Sequence, residues 1–190
     1  MVSTCFYLID HSDTFLFMMI GNLNIMGWNY RGSMGKDKLF CIRRLMRDNR
    51  VDIFALVETR VNTERVFRLC TPFVKKWNWV AIASDGYSRG IIILWLKHLG
   101  RISPVAHSRR ALHLIFSSSA DHQWIISMVY NSQQPKLQRN LWKELSMIPK
   151  LNLPWIVLGD FNVITSSADH KGSSFHYYAR KAYFFLQIHY

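Results

Sequence analysis

Leu153-Pro154-Trp155-Ile156-Val157-Leu158-Gly159-Asp160-Phe161-Asn162 is an apolar run that ends abruptly in Gly, Asp and Asn. Trp155 to Leu158 are consecutively apolar, two of them β-branched, and a proline precedes them. That suits a strand covered on both faces. Gly159 permits a tight turn or a close backbone approach to a ligand. Asp160 and Asn162 are then expected to project at the carboxyl edge of the sheet, where open α/β sheets place their ligands. The competing reading is a solvated turn after a core strand, because Asp and Asn are ordinary turn residues.

Leu137, Leu141, Leu145 and Ile148, with Trp142 alongside, form one apolar helix face leading into this strand. Before it, residues 77–83, 91–95, 102–106, 111–116 and 124–130 are short β-branched or aromatic runs. Gly, Ser, Pro or charged turns separate them, which predicts a meander of mostly antiparallel strands. Asn62-Thr63-Glu64 can cap a short helix carrying Val66, Phe67 and Leu69, stopped by Pro72.

Further upstream, residues 23–29 read as a short strand ending in Asn29, and residues 51–58 as a second apolar strand ending in Glu58. Between them Leu39, Ile42, Leu45 and Met46 recur at helical spacing, with Arg43, Arg44 and Arg47 on the other side. The β-α-β order implies a parallel pair. The basic helix stripe suits either phosphate contact or an ordinary solvated face.

Residues 1–22 are the least legible. Residues 14–30 carry no formal charge and residues 15–20 are wholly apolar. A spanning helix needs roughly 20 mainly apolar residues, and a signal peptide wants a positive start. Here Asp10 and Asp13 precede the patch, while Gly21, Asn22, Asn24 and Asn29 interrupt the stretch after it. An extra strand or a loose leader is expected, with no membrane.

The chain has 190 residues, 49% of them hydrophobic, which suits one domain with a substantial core. Lys and Arg number 24 against 12 Asp and Glu, a net charge of +12 that points to a polyanionic partner. The cations lie in small groups, Arg43-Arg44-Arg47, Lys75-Lys76 and Arg109-Arg110, so a folded basic surface is expected instead of a basic arm. Cys5, Cys41 and Cys70 are too few and too widely spaced for a disulfide framework or zinc ribbon, and no His-Glu-x-x-His spacing occurs among the eight histidines. These features imply a reducing, intracellular setting, the nucleus included.

Separate strands thus end in Asn29, Glu58 and Asp160 with Asn162, and another ends in Tyr130. Oxygen ligands at neighbouring strand ends suit a hard divalent cation. Magnesium takes one or two protein carboxylates, keeps several waters and binds substrate phosphate.

Four ordered elements carry a family likeness: Gly27-Trp28-Asn29-Tyr30-Arg31-Gly32, Ala55-Leu56-Val57-Glu58-Thr59-Arg60, Val129-Tyr130, and Pro154 through Asn162. Over residues 23–172 the chain resembles the endonuclease/exonuclease/phosphatase superfamily. Its Trp-Asn-x-Arg-Gly, Glu-Thr-Arg and Arg139-x-Leu141-Trp142 elements are most similar to the apurinic-type endonuclease domain of plant LINE-type (non-LTR) retrotransposon reverse transcriptases. The resemblance implies a two-sheet α/β sandwich that cleaves phosphodiester bonds in DNA with Mg²⁺ or Mn²⁺ and no small-molecule cofactor. By position it implies that Glu58 binds the metal with help from Asn29 and that Tyr130 contacts the phosphate. Asp160 would orient or deprotonate the attacking water, and Asn162 would support the phosphorus in the transition state.

The family's domain continues to a Ser-Asp-His element, whereas this sequence ends at Tyr190 and none of Asp10-His11, Asp121-His122 or Asp169-His170 comes after a serine. Asp169 through Gly172 instead resembles the acidic-x-Lys-Gly turn that comes after Gly-Asp-Phe-Asn in the family. The expectation is a leader at 1–22, a partial domain at 23–172 and a divergent segment at 173–190, with chemistry impaired by truncation. A relic that at most binds nucleic acid is the alternative. A lipid-phosphate phosphatase also fits the metal residues, but the Trp-Asn-x-Arg-Gly and Arg-x-Leu-Trp elements argue against it.

Overall fold

A computed structural model of the chain describes residues 6–9, 15–20, 22–32, 36–84, 89–119, 122–132 and 134–161. The organising units are two β-α-β crossovers. In the first, β3 (Leu23–Gly32) leads through helix α1 (Lys36–Asp48) to β4 (Ile53–Thr59), which lies parallel to β3. In the second, β9 (His122–Tyr130) leads through α3 (Pro135–Leu145) to β10 (Trp155–Asp160), parallel to β9.

Antiparallel strands complete two mixed sheets. Upstream of β3, β1 (Phe6–Ile9) pairs with β2 (Phe15–Ile20), and β2 with β3. Beyond β4, helix α2 (Thr63–Cys70) leads to β5 (Trp77–Ile82) and β6 (Gly90–Leu96). The first sheet has the order β1-β2-β3-β4-β6-β5. β7 (Arg101–His107) and β8 (Ala111–Ser119) join the second, ordered β10-β9-β8-β7.

The strands at 77–130 are therefore antiparallel to one another where they pair, as expected, and β9 alone among them also has a parallel neighbour, β10, but they do not form one continuous meander. β5 and β6 close the first sheet, while β7, β8 and β9 build the second. The extra strand expected near the N-terminus is a pair, β1 and β2, that extends the first sheet beyond β3. Among the described residues no helix is long and apolar enough to cross a membrane.

Period-two alternation assigns each strand residue to a face. Ile25, Ala55, Val57 and Ile93 of the first sheet meet Leu114, Ile126, Met128 and Leu158 of the second in the central core. The opposite face of the first sheet, with Met26, Phe54, Leu56 and Ile92, is covered by Ile42 and Met46 of α1 and by Val66 and Leu69 of α2. Ile125, Val129, Trp155 and Val157 line the outer face of the second sheet under Leu141 and Leu145 of α3. The layers run helix, sheet, sheet, helix, the α/β sandwich expected from the sequence. Each such fully buried aliphatic side chain stabilises the fold by about 1.5–3 kcal/mol.

Local chemistry sets the helix ends. Asn62 accepts a 3.0 Å hydrogen bond from the Arg65 amide and caps α2 as anticipated. Pro135 opens α3, where the missing N–H costs nothing. Beneath α3 lies one buried polar cluster. Ser127 Oγ sits 2.6 Å from His113 Nδ1 and accepts a 2.8 Å bond from Trp155 Nε1, and His113 Nε2 lies 3.1 Å from Glu144 Oε1. Each partner satisfies another, so these side chains tolerate burial.

Candidate active site

Gly159 does not end its strand. Gly159 and Asp160 remain in β10, paired with Val129 and Tyr130. Gly159 has φ +144°, and a Cβ there would fall inside the Val129 carbonyl. Its function is thus close strand approach and not a turn. Asp160 has the parity of Ile156 and Leu158 and faces the central core, fully buried. That replaces the edge projection expected for it, and the solvated-turn reading with it.

Asn29 shares the inward parity of Ile25 on β3 and is 1% exposed. The two inward polar residues meet across the sandwich, where Asn29 Nδ2 donates to Asp160 Oδ2 at 2.7 Å. The Asn131 amide donates to the Asp160 carbonyl at 2.7 Å, continuing the β9–β10 ladder past Tyr130.

Glu58 breaks the alternation. Parity with Phe54 and Leu56 would turn it to the helix-covered face. Instead its φ is +59°, and the registers of both β3–β4 and β4–β6 shift at this level. Left-handed backbone at a non-glycine residue costs about 1–3 kcal/mol and persists only where surrounding structure enforces it. Such bulges re-aim a side chain. Glu58 thereby meets Arg89, whose Nη1 forms an ion pair with Glu58 Oε2. The Arg89 guanidinium in turn lies over the Tyr130 ring, 5.1 Å from its centroid. Tyr130 is half-buried and belongs to the other sheet.

Asn29, Asp160, Tyr130, Arg89 and Glu58 form a closed circuit. Asn29 stands beside Val57 in the β3–β4 ladder, one residue before Glu58, and Asp160 stands beside Tyr130 in the β9–β10 ladder. The hydrogen bond closes one side, and Arg89 closes the other. Asn162 lies outside the described residues. Arg89 and Asn131 were not legible as site residues. Asn131 had one signal, a polar residue directly after a strand end, whereas nothing in local spacing couples Arg89 to Glu58.

Two oxygens of this circuit are buried with no hydrogen-bond partner, Asn29 Oδ1 and Glu58 Oε1. A buried acceptor without a donor is costly, and hard oxygen donors of this kind suit a divalent cation. Among the described residues no cluster of three or more His, Cys, Asp or Glu side chains could hold a metal. The donor set therefore fits a weakly held, largely hydrated ion and not a closed protein cage.

A separate basic depression of about 550 Å³ lies at the opposite end of β4, with Arg43, Arg47, Arg50, Lys75 and Lys76 in its wall. Asp52, in the same wall, and Glu58 bracket the strand, about 20 Å apart at ~3.3 Å per residue.

The sequence profile of the Endonuclease/Exonuclease/phosphatase family matches residues 28–183. No curated protein matches the sequence. Among solved structures the fold is similar to the human Nocturnin catalytic domain with bound sulfate anion, at TM-score 0.56 and 16% identity, over 74% of this chain and 65% of that one. It is similar to the AP endonuclease LMAP from Leishmania major, at TM-score 0.57 and 19% identity, over 79% and 58% respectively. Danio rerio TDP2 complexed with single strand DNA product gives TM-score 0.54 and 15% identity, over 81% and 62%. The chain thus spans about three-fifths to two-thirds of these structures. Identities this low establish shared fold alone, but the profile match covers most of the sequence, and the chain belongs to the endonuclease/exonuclease/phosphatase family.

Proposed function

We propose that the chain is a phosphodiesterase domain that cleaves DNA with Mg²⁺ or Mn²⁺ and descends from the endonuclease of a LINE-type retrotransposon. The observation that carries the catalytic reading is the pair of buried, unpartnered oxygens, Asn29 Oδ1 and Glu58 Oε1, beside an inward carboxylate and a phenol. Descent is supported by the Trp28-Asn29-x-Arg31-Gly32, Glu58-Thr59-Arg60 and Arg139-x-Leu141-Trp142 elements.

Glu58 and Asn29 would hold the ion, which when bound supplies charge neutralisation at the phosphate oxygens. The chain's own residues do the rest. Asn29 Nδ2 fixes one oxygen of Asp160 and so restricts the carboxylate's orientation, as a group that aligns or deprotonates water requires. Tyr130, under the Arg89 cation, presents its hydroxyl to a phosphate oxygen. The +12 charge draws the polyanion to the surface.

Supercoiled plasmid with Mg²⁺ or Mn²⁺ tests the reading, the parent beside Asp160→Ala, both verified as folded. Open circles should form with the parent and fall by about 10²-fold or more in the variant. A parent no better than the variant would sink the catalytic reading and leave a nucleic-acid-binding domain.

A further inference from the structure

We propose that Arg89 is the internal cation of this site: it neutralises Glu58 from a fixed seat on the Tyr130 ring, and a divalent ion must displace it from the carboxylate to bind. The proposal rests on the reading of Glu58 as a metal ligand.

Three features mark Arg89 as displaceable rather than permanent. The first is need. The Glu58 side chain is 2% exposed and requires a compensating positive charge, which Arg89, at 18% exposure, provides. The second is the form of the contact. A structural Arg–carboxylate pair is commonly bidentate, with two parallel hydrogen bonds. Here Arg89 Nη1 meets Oε2 without an aligned hydrogen bond, and Oε1 has no hydrogen-bond partner. The open oxygen gives an arriving divalent ion its first contact, and the repulsion between two cations on one buried carboxylate then drives Arg89 off.

The third feature is anchorage. Gly90, next in the chain after Arg89, pairs with Thr59, and a Cβ at Gly90 would collide with Thr59 Oγ1 and the Ile82 carbonyl. This close packing holds the Arg89 backbone beside the end of β4. The guanidinium keeps a second favourable contact in the Tyr130 ring, so release from Glu58 does not set it free in solvent. It stays at the phosphate-facing phenol, where its planar fork suits a phosphodiester oxygen. Arg89 is therefore a positioning residue that exchanges one anionic partner for another.

The test is Mn²⁺ binding by calorimetry for the parent, Arg89→Met and Glu58→Gln, with thermal melts in chelator. Arg89→Met should bind Mn²⁺ about tenfold or more tightly than the parent, because no bound cation has to leave. Its melting temperature in chelator should fall below the parent's and recover on adding Mn²⁺. Affinity in Arg89→Met equal to or weaker than the parent's, with Glu58→Gln impaired, would overturn the proposal while sparing Glu58 as ligand. Equal binding by the parent and Glu58→Gln would instead remove the metal reading, and this proposal with it. If Arg89→Met does not fold, the parent alone suffices, ¹⁵N-labelled at arginine and assigned with Arg89→Lys. Saturating Mg²⁺ should shift the Arg89 side-chain signal and speed guanidinium rotation, and an unmoved signal under proven Mg²⁺ binding would refute the exchange.

Discussion

Asn29 and Asp160, 131 positions apart, share a buried 2.7 Å hydrogen bond that ties β3 of one sheet to β10 of the other. A bond to a carboxylate contributes about 1.5–3 kcal/mol, and removing the donor weakens the compensation for burying that charge. Asn29→Leu should lower unfolding free energy in urea by about 2–4 kcal/mol. Asp160→Asn keeps an acceptor for Asn29 and should cost less than half as much. Equal stability of Asn29→Leu and the parent would mean that the bond does not lock the sheets.

Gly159 tolerates no side chain. Its φ of +144° and the Val129 carbonyl both exclude a Cβ. Gly159→Ala should destabilise by about 4 kcal/mol or more, the range reached by backbone strain combined with overpacking. Circular dichroism melts of purified variant would check this, and a melting temperature within a few degrees of the parent would contradict it.

Acid should act through Glu144. Burial raises its carboxyl, but hydrogen bonds from His113 and Ser108 and the charges of His113 and His107 outweigh burial and hold it below the ordinary range. A carboxyl depressed in the folded state contributes stability above its unfolded pKa and loses it as pH falls through the folded value. Glu144→Gln should thus be less stable than the parent near pH 7 by about 0.5–1 kcal/mol. Melts should show the gap closing as pH falls below the ordinary carboxylate range. A gap independent of pH would assign the loss to packing.

DNA affinity should fall steeply with salt, at roughly 0.9 in log–log slope per phosphate neutralised on duplex DNA. Replacing Arg43, Arg50, Lys75 and Lys76 by Gln should flatten that slope by about one per lost contact. Mn²⁺ affinity should not change, since β4 separates this depression from Glu58 by its full length. An unchanged slope would show that DNA does not touch that face.

The elements were legible where burial imposes a simple period. Apolar runs predicted β3, β4 and β10, and the Leu141–Leu145 spacing predicted α3. Sheet membership was not, because consecutive short strands such as β6 and β7 announce their existence in local pattern but not their partners, and only tertiary packing assigns them to different sheets. Site residues emerged as strand-end Asn, Glu, Tyr and Asp. Their mutual geometry did not, for a left-handed turn at a glutamate contradicts its own propensity and is imposed by the fold. Arg89 was invisible for the same reason, since its partner lies in another strand. Cys70 shows the reverse case, an ordinary sequence position whose thiol burial pushes up to about 12, rendering it unreactive.

The paired crossovers carry a cost in time. β3 with β4 and β9 with β10 are parallel neighbours whose pairing closes a long crossover containing a helix, unlike hairpins that close locally. On a ribosome, strand β10 emerges after every other described strand, so a nascent chain shorter than residue 160 would hold Asn29 and Glu58 without Asp160. Such an intermediate exposes the parallel-pairing edge of β9 and is the species a chaperone would meet. Refolding should accordingly be slow, with protection of β10 amides among the last to appear in pulsed hydrogen exchange.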